Sequence, residues 1–362
     1  MMMKKLFIPA FLLVLGITSF AQTRNEVRIP DLKGYKTLKC DFHIHTVFSD
    51  GLVWPTVRVD EIYREGLDAM AIADHIEYRP HKDDIKASFN RSYDLSEKYA
   101  KDRGIILIKA SEITRSMPPG HFNALFLTDN DSLDTKEYMD AFRAAKAQNA
   151  FIFWNHPGWS AQQPDTTLWW KEHTELLKAG YMQGIEVVNG DEYYPEAQQW
   201  CMDKKLTMLG NTDVHAPIQA VYDFAKGEHR PMTLVFARES SAQGIREALE
   251  NRRTAVYFED KIIGEEVYVK ELFENSIEIV NVQKTEKNVS IMLKNNTDLV
   301  FKLKKTDHDV NLVYFREYDI NPHGTYVINV KLNNGVKGGN VNFEVTNLLV
   351  KPNCGMQYSY PL

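Results

Sequence analysis

The stretch DFHIHTVFSDG, residues 41–51, places two histidines one residue apart and follows them with an aspartate in a Ser-Asp-Gly turn. The alternation around His43 and His45 is typical of a β-strand, in which residues i and i+2 project from the same face. Neutral imidazole is a common ligand of zinc, iron and related metals. Two imidazoles that point together at a strand end therefore indicate a shared cation, although a chance pair gives the same pattern.

Further imidazole and carboxylate side chains close short apolar runs along the chain. They are Asp74 and His75, Glu112, His156, and Asp213 and His215. His121 is different, because it opens an apolar run after the turn at residues 118–120. A single strand histidine is more often a hydrogen-bonded core residue, and a single strand-end carboxylate often caps a helix. Their repeated occurrence favours a metal site.

The elements that position these residues alternate between short apolar runs and amphipathic helical stretches from residue 38 to about residue 266. Repeated strand-then-helix units predict a parallel sheet or barrel with helices outside. About seven or eight such strands fit a (β/α) barrel, whose functional residues gather at the carboxyl ends of the strands. The last strand predicted in this region is PMTLVFA, residues 231–237.

The pattern changes after about residue 267, where short alternating strands are separated by Asn, Asp and Gly turns. This pattern predicts a small antiparallel β-sandwich over residues 267–362 and no helix of useful length. The sequence lacks the Cys-Trp-Cys spacing of antibody domains, so the prediction concerns the architecture alone.

The first 21 residues, MMMKKLFIPAFLLVLGITSFA, have the charged start, short apolar run and small-residue end of a secretory signal peptide. The apolar run is too short to span a bilayer comfortably, so an uncleaved anchor is the less favoured alternative. We therefore expect a periplasmic or secreted protein without a membrane span after signal cleavage. Residues 22–37 are expected to lead into the barrel.

The composition narrows the class of protein. With 362 residues, of which 44% are hydrophobic, the chain can bury a substantial core. A formal net charge of −6 gives no basic excess for neutralising a nucleic-acid backbone, so no nucleic-acid partner is expected. Cys40, Cys201 and Cys354 form no Cys-x-x-Cys site and are expected to be buried hydrophobic residues, with one disulfide left open.

The ligand segments resemble those of the PHP (polymerase and histidinol phosphatase) family of metal-dependent phosphoesterases. The resemblance covers about residues 38–260 and includes every ligand segment in order. It implies an α/β fold, a distorted (β/α)7 barrel that holds a trinuclear metal centre. The expected domains are the signal peptide at residues 1–21, the lead-in at 22–37, the barrel at 38–266 and the β-sandwich at 267–362.

The resemblance also implies an assignment of ligands. One metal takes His43, His45, Glu112 and Asp213; a second takes Glu112, His121 and His156; a third takes Asp50, His75 and His215. Glu112 bridges the first two metals, and Asp74 orients a ligand imidazole by hydrogen bonding. Some family members have histidine in place of Asp50, which leaves occupancy of the third site open. Imidazole and carboxylate ligands suit two to three divalent zinc, manganese or iron ions.

The implied reaction needs no protein nucleophile. Metals about 3.5–4 Å apart can share a hydroxide and stabilise the attacking and leaving oxygens at phosphorus, with Glu112 and Asp213 as the central catalytic ligands. Arg79 and His81 follow the second motif and are expected to hold phosphate or protonate the leaving group, and Arg115 is a further candidate. Pocket-shaping side chains are expected at Asn155, Trp159, Asn189 and Tyr194, and an exposed helix position at His173.

These observations favour an exported metal-dependent phosphoesterase acting on small organic phosphate esters, with phosphodiesters as the first expectation. A barrel followed by a β-domain in an exported chain resembles the bacterial phosphodiesterases that cleave synthetic organophosphate diesters. A histidinol-phosphatase-like phosphomonoesterase is the alternative, and a metal-dependent amidohydrolase is less favoured. A non-enzymatic scaffold is disfavoured because no ligand is missing, and the partner of the β-domain stays unknown.

Overall fold

The computed structural model describes residues 23–362. The signal peptide predicted over residues 1–21 lies outside the described residues. Within the described part of the chain, no helix is both long enough and apolar enough to cross a bilayer.

The first two thirds of the chain form one mixed sheet with helices around it. The strands are β1 (Lys36–Ile44), β2 (Ala69–Ile72), β3 (Ile106–Ile113), β4 (Phe122–Leu125), β5 (Phe151–Trp154), β6 (Gly184–Asn189), β7 (Glu192–Tyr193), β8 (Thr207–Asn211), β9 (Met232–Ala237), β10 (Thr254–Phe258) and β11 (Lys261–Gly264). The helices are α1 (Pro55–Arg64), α2 (Arg91–Asp102), α3 (Tyr138–Ala147), α4 (Lys171–Lys178), α5 (Pro195–Lys204) and α6 (Ala242–Glu250).

Strands β1 to β6 and β8 close into a distorted barrel. Parallel pairs join β1 to β2, β2 to β3, β5 to β6 and β6 to β8. The ring closes after β8, where the Asp213 N–H donates to the His43 carbonyl at 2.8 Å and the His45 N–H donates to the Val214 carbonyl at 3.1 Å. The predicted distorted (β/α)7 barrel is confirmed.

The sheet is mixed rather than parallel, because β4 runs antiparallel to both β3 and β5. Phe122 at the start of β4 pairs with Ile113 at the end of β3 and with Trp154 at the end of β5. The residue that precedes β4, His121, therefore lies at the same edge as the carboxyl ends of its neighbours. This reversal accounts for the one ligand that opens its apolar run instead of closing it.

Helix α6 shows how an outer helix is specified. Ser241 caps its first turn by accepting a hydrogen bond from the Gly244 N–H at 2.9 Å, a contact that stabilises a helix by about 1 kcal/mol. Ile245, Ala248 and Leu249 then recur at helical spacing and are fully buried. This apolar face packs on β9, so the sequence pattern and the tertiary contact agree.

The C-terminal region forms a β-sandwich of two antiparallel sheets. Its strands are β12 (Ile277–Lys284), β13 (Asn288–Asn295), β14 (Phe301–Lys305), β15 (Leu312–Val313), β16 (Glu317–Ile320), β17 (Thr325–Leu332), β18 (Asn340–Lys351) and β19 (Cys354–Pro361). One sheet has the order β12-β13-β17-β15, and the other contains β16-β14-β18 with β19 paired to β18. Val289, Ile291 and Leu293 alternate inward along β13, each contributing about 1.5–3 kcal/mol by burial.

A helix precedes the sandwich where the sequence predicted none. Helix α7 (Glu266–Ser276) spans the expected domain boundary and buries Val269, Leu272, Phe273 and Ser276 at helical spacing. The apolar pair Val267 and Val269 suggests a strand, but Val267 is 62% exposed. Contacts with β10, β11, β12 and β18 stabilise the helix, and the local sequence pattern does not reveal these contacts.

The two β-regions share one sheet. Ile262 and Ile263 of β11 pair in parallel with Leu348 and Leu349 of β18, which joins the barrel sheet to one sandwich sheet. Strands β10 and β11 form a hairpin that continues the barrel sheet beyond β9, an addition to the strands predicted from the sequence.

The cysteines are all free, with no disulfide between them. Cys40 and Cys201 are buried as expected, whereas Cys354 is exposed at the start of β19. The expectation of three buried cysteines was wrong for Cys354, because the chain turns at the sandwich surface there.

Candidate metal centre

The ends of β1, β3 and β8 bring four expected ligands together. His43 and His45 project from one face of β1 with 5.0 Å between their ring centroids. Their Nε2 atoms lie 3.2 and 2.9 Å from Oδ1 of Asp213. The same two atoms lie 3.7 and 3.6 Å from the Glu112 carboxylate. Donor atoms of His43, His45 and Glu112 are within 4.8 Å of one another and could hold one metal ion.

Glu112 also faces a second group of potential ligands. Its Oε1 lies 3.0 Å from Nδ1 of His121 and 3.7 Å from Nε2 of His156. These three residues form another set that could hold a metal ion, and Glu112 is fully buried between the two sets. The Glu112 carboxylate would therefore supply a ligand atom to either group.

A third group surrounds Asp50 in the turn after β1. Oδ1 of Asp50 lies 3.4 Å from Nε2 of His75 and 3.2 Å from Nε2 of His215. The His45 ring stacks on both imidazoles, with centroids 4.4 and 4.3 Å away, and offers a fourth donor. A Cβ atom on Gly51 would lie 2.7 Å from the His45 backbone, so the turn that presents Asp50 requires glycine.

Seven donor atoms in these groups are buried without a hydrogen-bond partner among residues 23–362. They are Nε2 of His43 and His45, Oδ1 of Asp50 and Asp213, Oε2 of Glu112, and Nδ1 of His121 and His156. Each unpaired buried polar atom costs about 1–3 kcal/mol. Together these seven atoms are suited to binding metal ions, because a bound ion would give them the partner that residues 23–362 do not provide. The mixture of imidazole and carboxylate suits divalent transition metals.

Burial and nearby charge set the protonation states of the ligands. Burial opposes ionisation of Glu112, but the surrounding histidines outweigh it and hold the pKa of this carboxyl well below its usual value. The pKa values of Asp50 and Asp213 are lowered against burial in the same way. Burial, with nearby imidazole charge, lowers the pKa of His45 to about 4. These carboxylates are held ionised and His45 neutral, the forms that bind metal. The neighbouring carboxylates, by contrast, outweigh burial and raise the pKa of His43, His75 and His215, so these imidazoles release protons when metal binds.

Glu186 orients two ligand segments, and the sequence analysis missed it. It is fully buried in β6, where its Oε1 accepts from Nδ1 of His43 at 2.9 Å and its Oε2 accepts from the His156 N–H at 2.7 Å. The side-chain amides of Asn211 and Asn189 also donate to it, each at 2.9 Å. Because Nδ1 of His43 is hydrogen-bonded to Glu186, Nε2 is the ring nitrogen of His43 that faces the other metal ligands. The available signal was a glutamate inside the apolar run GIEVVNG, since glutamate is rarely buried unpaired.

We expect Glu186→Gln to weaken metal binding by about 10–100-fold, because the amide keeps the shape but loses the charge that orients His43. Titration calorimetry with zinc or manganese on the stripped protein measures this. Glu196→Gln, at an exposed position of α5, is the control and should bind metal as the unmodified protein does. Equal affinities for the Glu186→Gln and control proteins would contradict the orienting role.

Asp74 supports the loop that carries Asp50, instead of contacting an imidazole directly as expected. Its Oδ1 accepts from the Thr46 N–H at 2.7 Å and from the Ser49 hydroxyl at 2.9 Å. The Ser49 hydroxyl in turn lies 3.4 Å from Nδ1 of His45. The carboxylate reaches the imidazole only through Ser49, because β2 ends beside the 46–49 turn.

A buried arginine ties the end of β1 to the segment after β8. Arg58 of α1 is fully buried. Its guanidinium donates to the carbonyls of His45 (2.9 Å), Val214 (3.0 Å), His215 (2.7 Å) and Ala216 (2.9 Å), and to the Glu61 carboxylate (2.7 Å). These five contacts match the five N–H donors of the side chain. Arg58 therefore fixes the spacing between two ligand-bearing segments.

A cavity of about 660 Å³ opens over the ligands. Three of the expected pocket residues, Trp159, Asn189 and Tyr194, line it. The fourth, Asn155, is buried beneath it and donates to Oε1 of Glu112 at 2.8 Å. The cavity and the ligands therefore belong to one site.

The structure does not bring the expected cationic residues to this cavity. Arg79 donates to the Phe48 and Ala87 carbonyls at 3.1 and 3.0 Å, and Arg115 pairs with Glu77 at 2.7 Å. Neither arginine lines the cavity, and neither does His81. Indeed no arginine or lysine among residues 23–362 lines it. Arg79 and Arg115 instead stabilise loops through these contacts.

His173 is buried, so the prediction of an exposed helix residue was wrong. Its Nε2 donates to the Pro119 carbonyl at 2.7 Å, and its ring stacks on Trp154 with centroids 3.7 Å apart. Its Nδ1 accepts from the Trp170 N–H at 3.0 Å at the start of α4. Both ring nitrogens have partners, and burial lowers the pKa of His173 to about 4. It is a structural residue.

Comparisons with known proteins cover both regions of the chain. A family model described as an Ig-like domain matches residues 276–361, which confirms the predicted sandwich. A solved two-domain protein of Bacteroides vulgatus ATCC 8482, described as containing a predicted PHP-like metal-dependent phosphoesterase, is 60% identical. That match covers 94% of this chain and 100% of the other, with a TM-score of 0.93. An uncharacterised protein of Methanocaldococcus jannaschii is 28% identical over 202 residues, 52% of this chain and 87% of its own length.

Proposed function

The chain belongs to the PHP-like metal-dependent phosphoesterases, and from this premise we propose that it is a phosphodiesterase for small organic diesters. Membership of this family indicates the general activity, which is metal-dependent hydrolysis of phosphate esters. The choice of diesters rests on the charge of the cavity.

The observation that carries the proposal is the lack of any lysine or arginine lining the cavity within residues 23–362. A phosphomonoester carries a charge of about −1.5 to −2 at pH 7, whereas a diester carries a single negative charge. Sites for the more highly charged group commonly add arginine or lysine to bind it. Here the cavity instead presents Asp191 and Glu192, which repel a dianion more than a monoanion.

The residues of the chain have separate parts in this proposal. His43, His45 and Glu112, with Asp213 beside them, would hold one metal ion, and Glu112 would share a second with His121 and His156. Asp50, His75 and His215 would hold a third, giving two to three zinc, manganese or iron ions per chain. When bound, the ions supply a nucleophile from water at neutral pH and offset charge on the phosphoryl oxygens.

The test is the ratio of kcat/KM for bis(4-nitrophenyl) phosphate to that for 4-nitrophenyl phosphate, measured on metal-loaded protein. We expect a ratio of at least about ten, which corresponds to about 1.4 kcal/mol between the two transition states. The matching metal-stripped sample is the control and should be inactive on both esters. A ratio below one would favour a phosphomonoesterase and overturn the proposal.

We also propose that the protein acts outside the cytoplasm. The support is the charged start and apolar run of residues 1–21. Fractionation of the native host, with N-terminal sequencing of the recovered protein, tests this, because recovery of a chain that retains Met1 from the cytoplasmic fraction would contradict export.

A further inference from the structure

The lining of the cavity has two chemically different parts. The metal ligands form one part, and the hairpin between β6 and β7 forms the other, beside them at Asn189, whose side-chain amide lies 3.5 Å from Oδ2 of Asp213. Val188 pairs with Tyr193, and Asn189 pairs with Glu192, so residues 190 and 191 form a two-residue turn. Gly190 has φ +57°, which glycine adopts without strain. This turn directs an acidic pair, Asp191 and Glu192, toward the cavity.

The acidic pair has no cationic partner among residues 23–362. The Asp191 carboxylate takes part in no hydrogen bond or ion pair there, and Glu192 accepts only from the Tyr194 hydroxyl, at 2.5 Å. Both residues are exposed. Because no lysine or arginine in that range lines the cavity, this negative charge is available to a ligand.

Aromatic side chains beside the ligand histidines also line the cavity. The Trp159 ring centroid is 5.7 Å from that of His121 and 5.2 Å from that of His156, and the indole is 40% exposed. Tyr78 lies 5.9 Å from His75 and is 54% exposed. Exposed aromatic faces in a cavity that also presents carboxylates without a cationic partner can bind ammonium groups, through cation–π attraction and charge.

The metal ligands determine where the phosphate lies. Ligand atoms of His121, His156 and Asp213 are buried without a hydrogen-bond partner among residues 23–362, and these residues also line the cavity. A phosphate bound at the metals would extend its ester substituents along the aromatic faces. A cavity of about 660 Å³ has room for a small diester.

We propose that the preferred substrate is a phosphodiester in which one esterified alcohol carries an ammonium group, held by Asp191, Glu192 and the face of Trp159. This inference rests on the phosphodiesterase activity proposed above. In the reaction, oxygen from water bonds to phosphorus, the bond from phosphorus to one alcohol oxygen breaks, and that alcohol leaves with a proton. The ammonium group is unchanged and serves only to position the substrate.

The test compares two diesters with the same leaving group on metal-loaded protein. One is 4-nitrophenyl phosphocholine, and the other is 4-nitrophenyl 3,3-dimethylbutyl phosphate, in which carbon replaces the charged nitrogen. We expect kcat/KM to be about tenfold higher for the cationic diester. In the double variant Asp191→Asn, Glu192→Gln the preference should fall toward one. Glu196→Gln removes a nearby exposed charge and should keep the preference.

The outcomes separate this inference from the proposed function. Hydrolysis of both diesters at equal rates would overturn the cationic substrate while leaving the phosphodiesterase intact. A preference that survives in the double variant would also overturn it, because the acidic pair would then not be its source. Failure to cleave either diester or bis(4-nitrophenyl) phosphate, with metal bound, would instead count against phosphodiesterase activity itself.

Discussion

Replacement of Glu112 by glutamine is expected to lower phosphodiester turnover by about a thousandfold, or about 4 kcal/mol of transition-state free energy. The carboxylate is fully buried and contributes to two of the potential metal groups. A carboxamide has one oxygen and no charge, so it cannot bridge two cations. The same change leaves buried histidines without the negative charge that balances bound metal.

Two measurements on the Glu112→Gln protein are needed, kcat/KM for bis(4-nitrophenyl) phosphate and metal content by elemental analysis. We expect the metal content to fall together with activity. Ser111→Ala is the matched control, because Ser111 precedes Glu112 in β3, points to the other face, and its buried hydroxyl has no hydrogen-bond partner among the described residues. Near-normal turnover with full metal content in Glu112→Gln would show that the bridging assignment is incorrect.

Replacement of Arg58 by methionine is expected to lower the free energy of unfolding by about 3–5 kcal/mol. Methionine fills much of the space of the arginine side chain but donates no hydrogen bond. Four carbonyls and the Glu61 carboxylate would each lose one donor. The Val214 and His215 carbonyls keep the His45 and Leu52 N–H groups, and Glu61 keeps the Ile218 N–H at 3.0 Å. Because Arg58 joins the segments of His45 and His215, we also expect loss of metal from the group around Asp50.

Urea unfolding measures the stability change, and elemental analysis of the folded protein measures the metal. Arg58→Lys is the second variant if the methionine protein does not fold, because lysine keeps the charge beside Glu61 but has fewer donors. Arg64→Met, on the same helix but with a side chain that donates only to the Asp60 carbonyl among residues 23–362, should change stability by no more than about 0.5 kcal/mol. Equal stability of the Arg58 and Arg64 variants would refute the role of the buried guanidinium.

The arrangement of the ligands was largely predictable because it depends on local patterns. Alternation places His43 and His45 on one face, and barrel topology gathers run-end residues such as Glu112 and His156 at one edge. Both placements follow from the residue pattern alone, without any interatomic distance. The resemblance to a family then orders the ligands into groups, and the structure brings the members of each group together.

Other features depended on partners that lie far away in the sequence. Arg58 resembles a surface residue of an amphipathic helix, and only the carbonyls at residues 214–216 explain its burial. Glu186 is similar, since its partners come from three other segments. The direction of β4 and the buried state of His173 likewise follow from tertiary contacts that propensity does not encode.

The pairing of β11 with β18 has a consequence for the order in which the molecule can be assembled. Strand β18 begins at Asn340, far along the sequence from β11, yet it covers the edge of the barrel sheet at Ile262 and Ile263. During synthesis that edge stays open until β18 has been added. Such distant pairing slows folding and leaves a strand free to join other chains in the meantime. The barrel and the Ig-like region are therefore expected to mature as one unit, and truncated chains to aggregate.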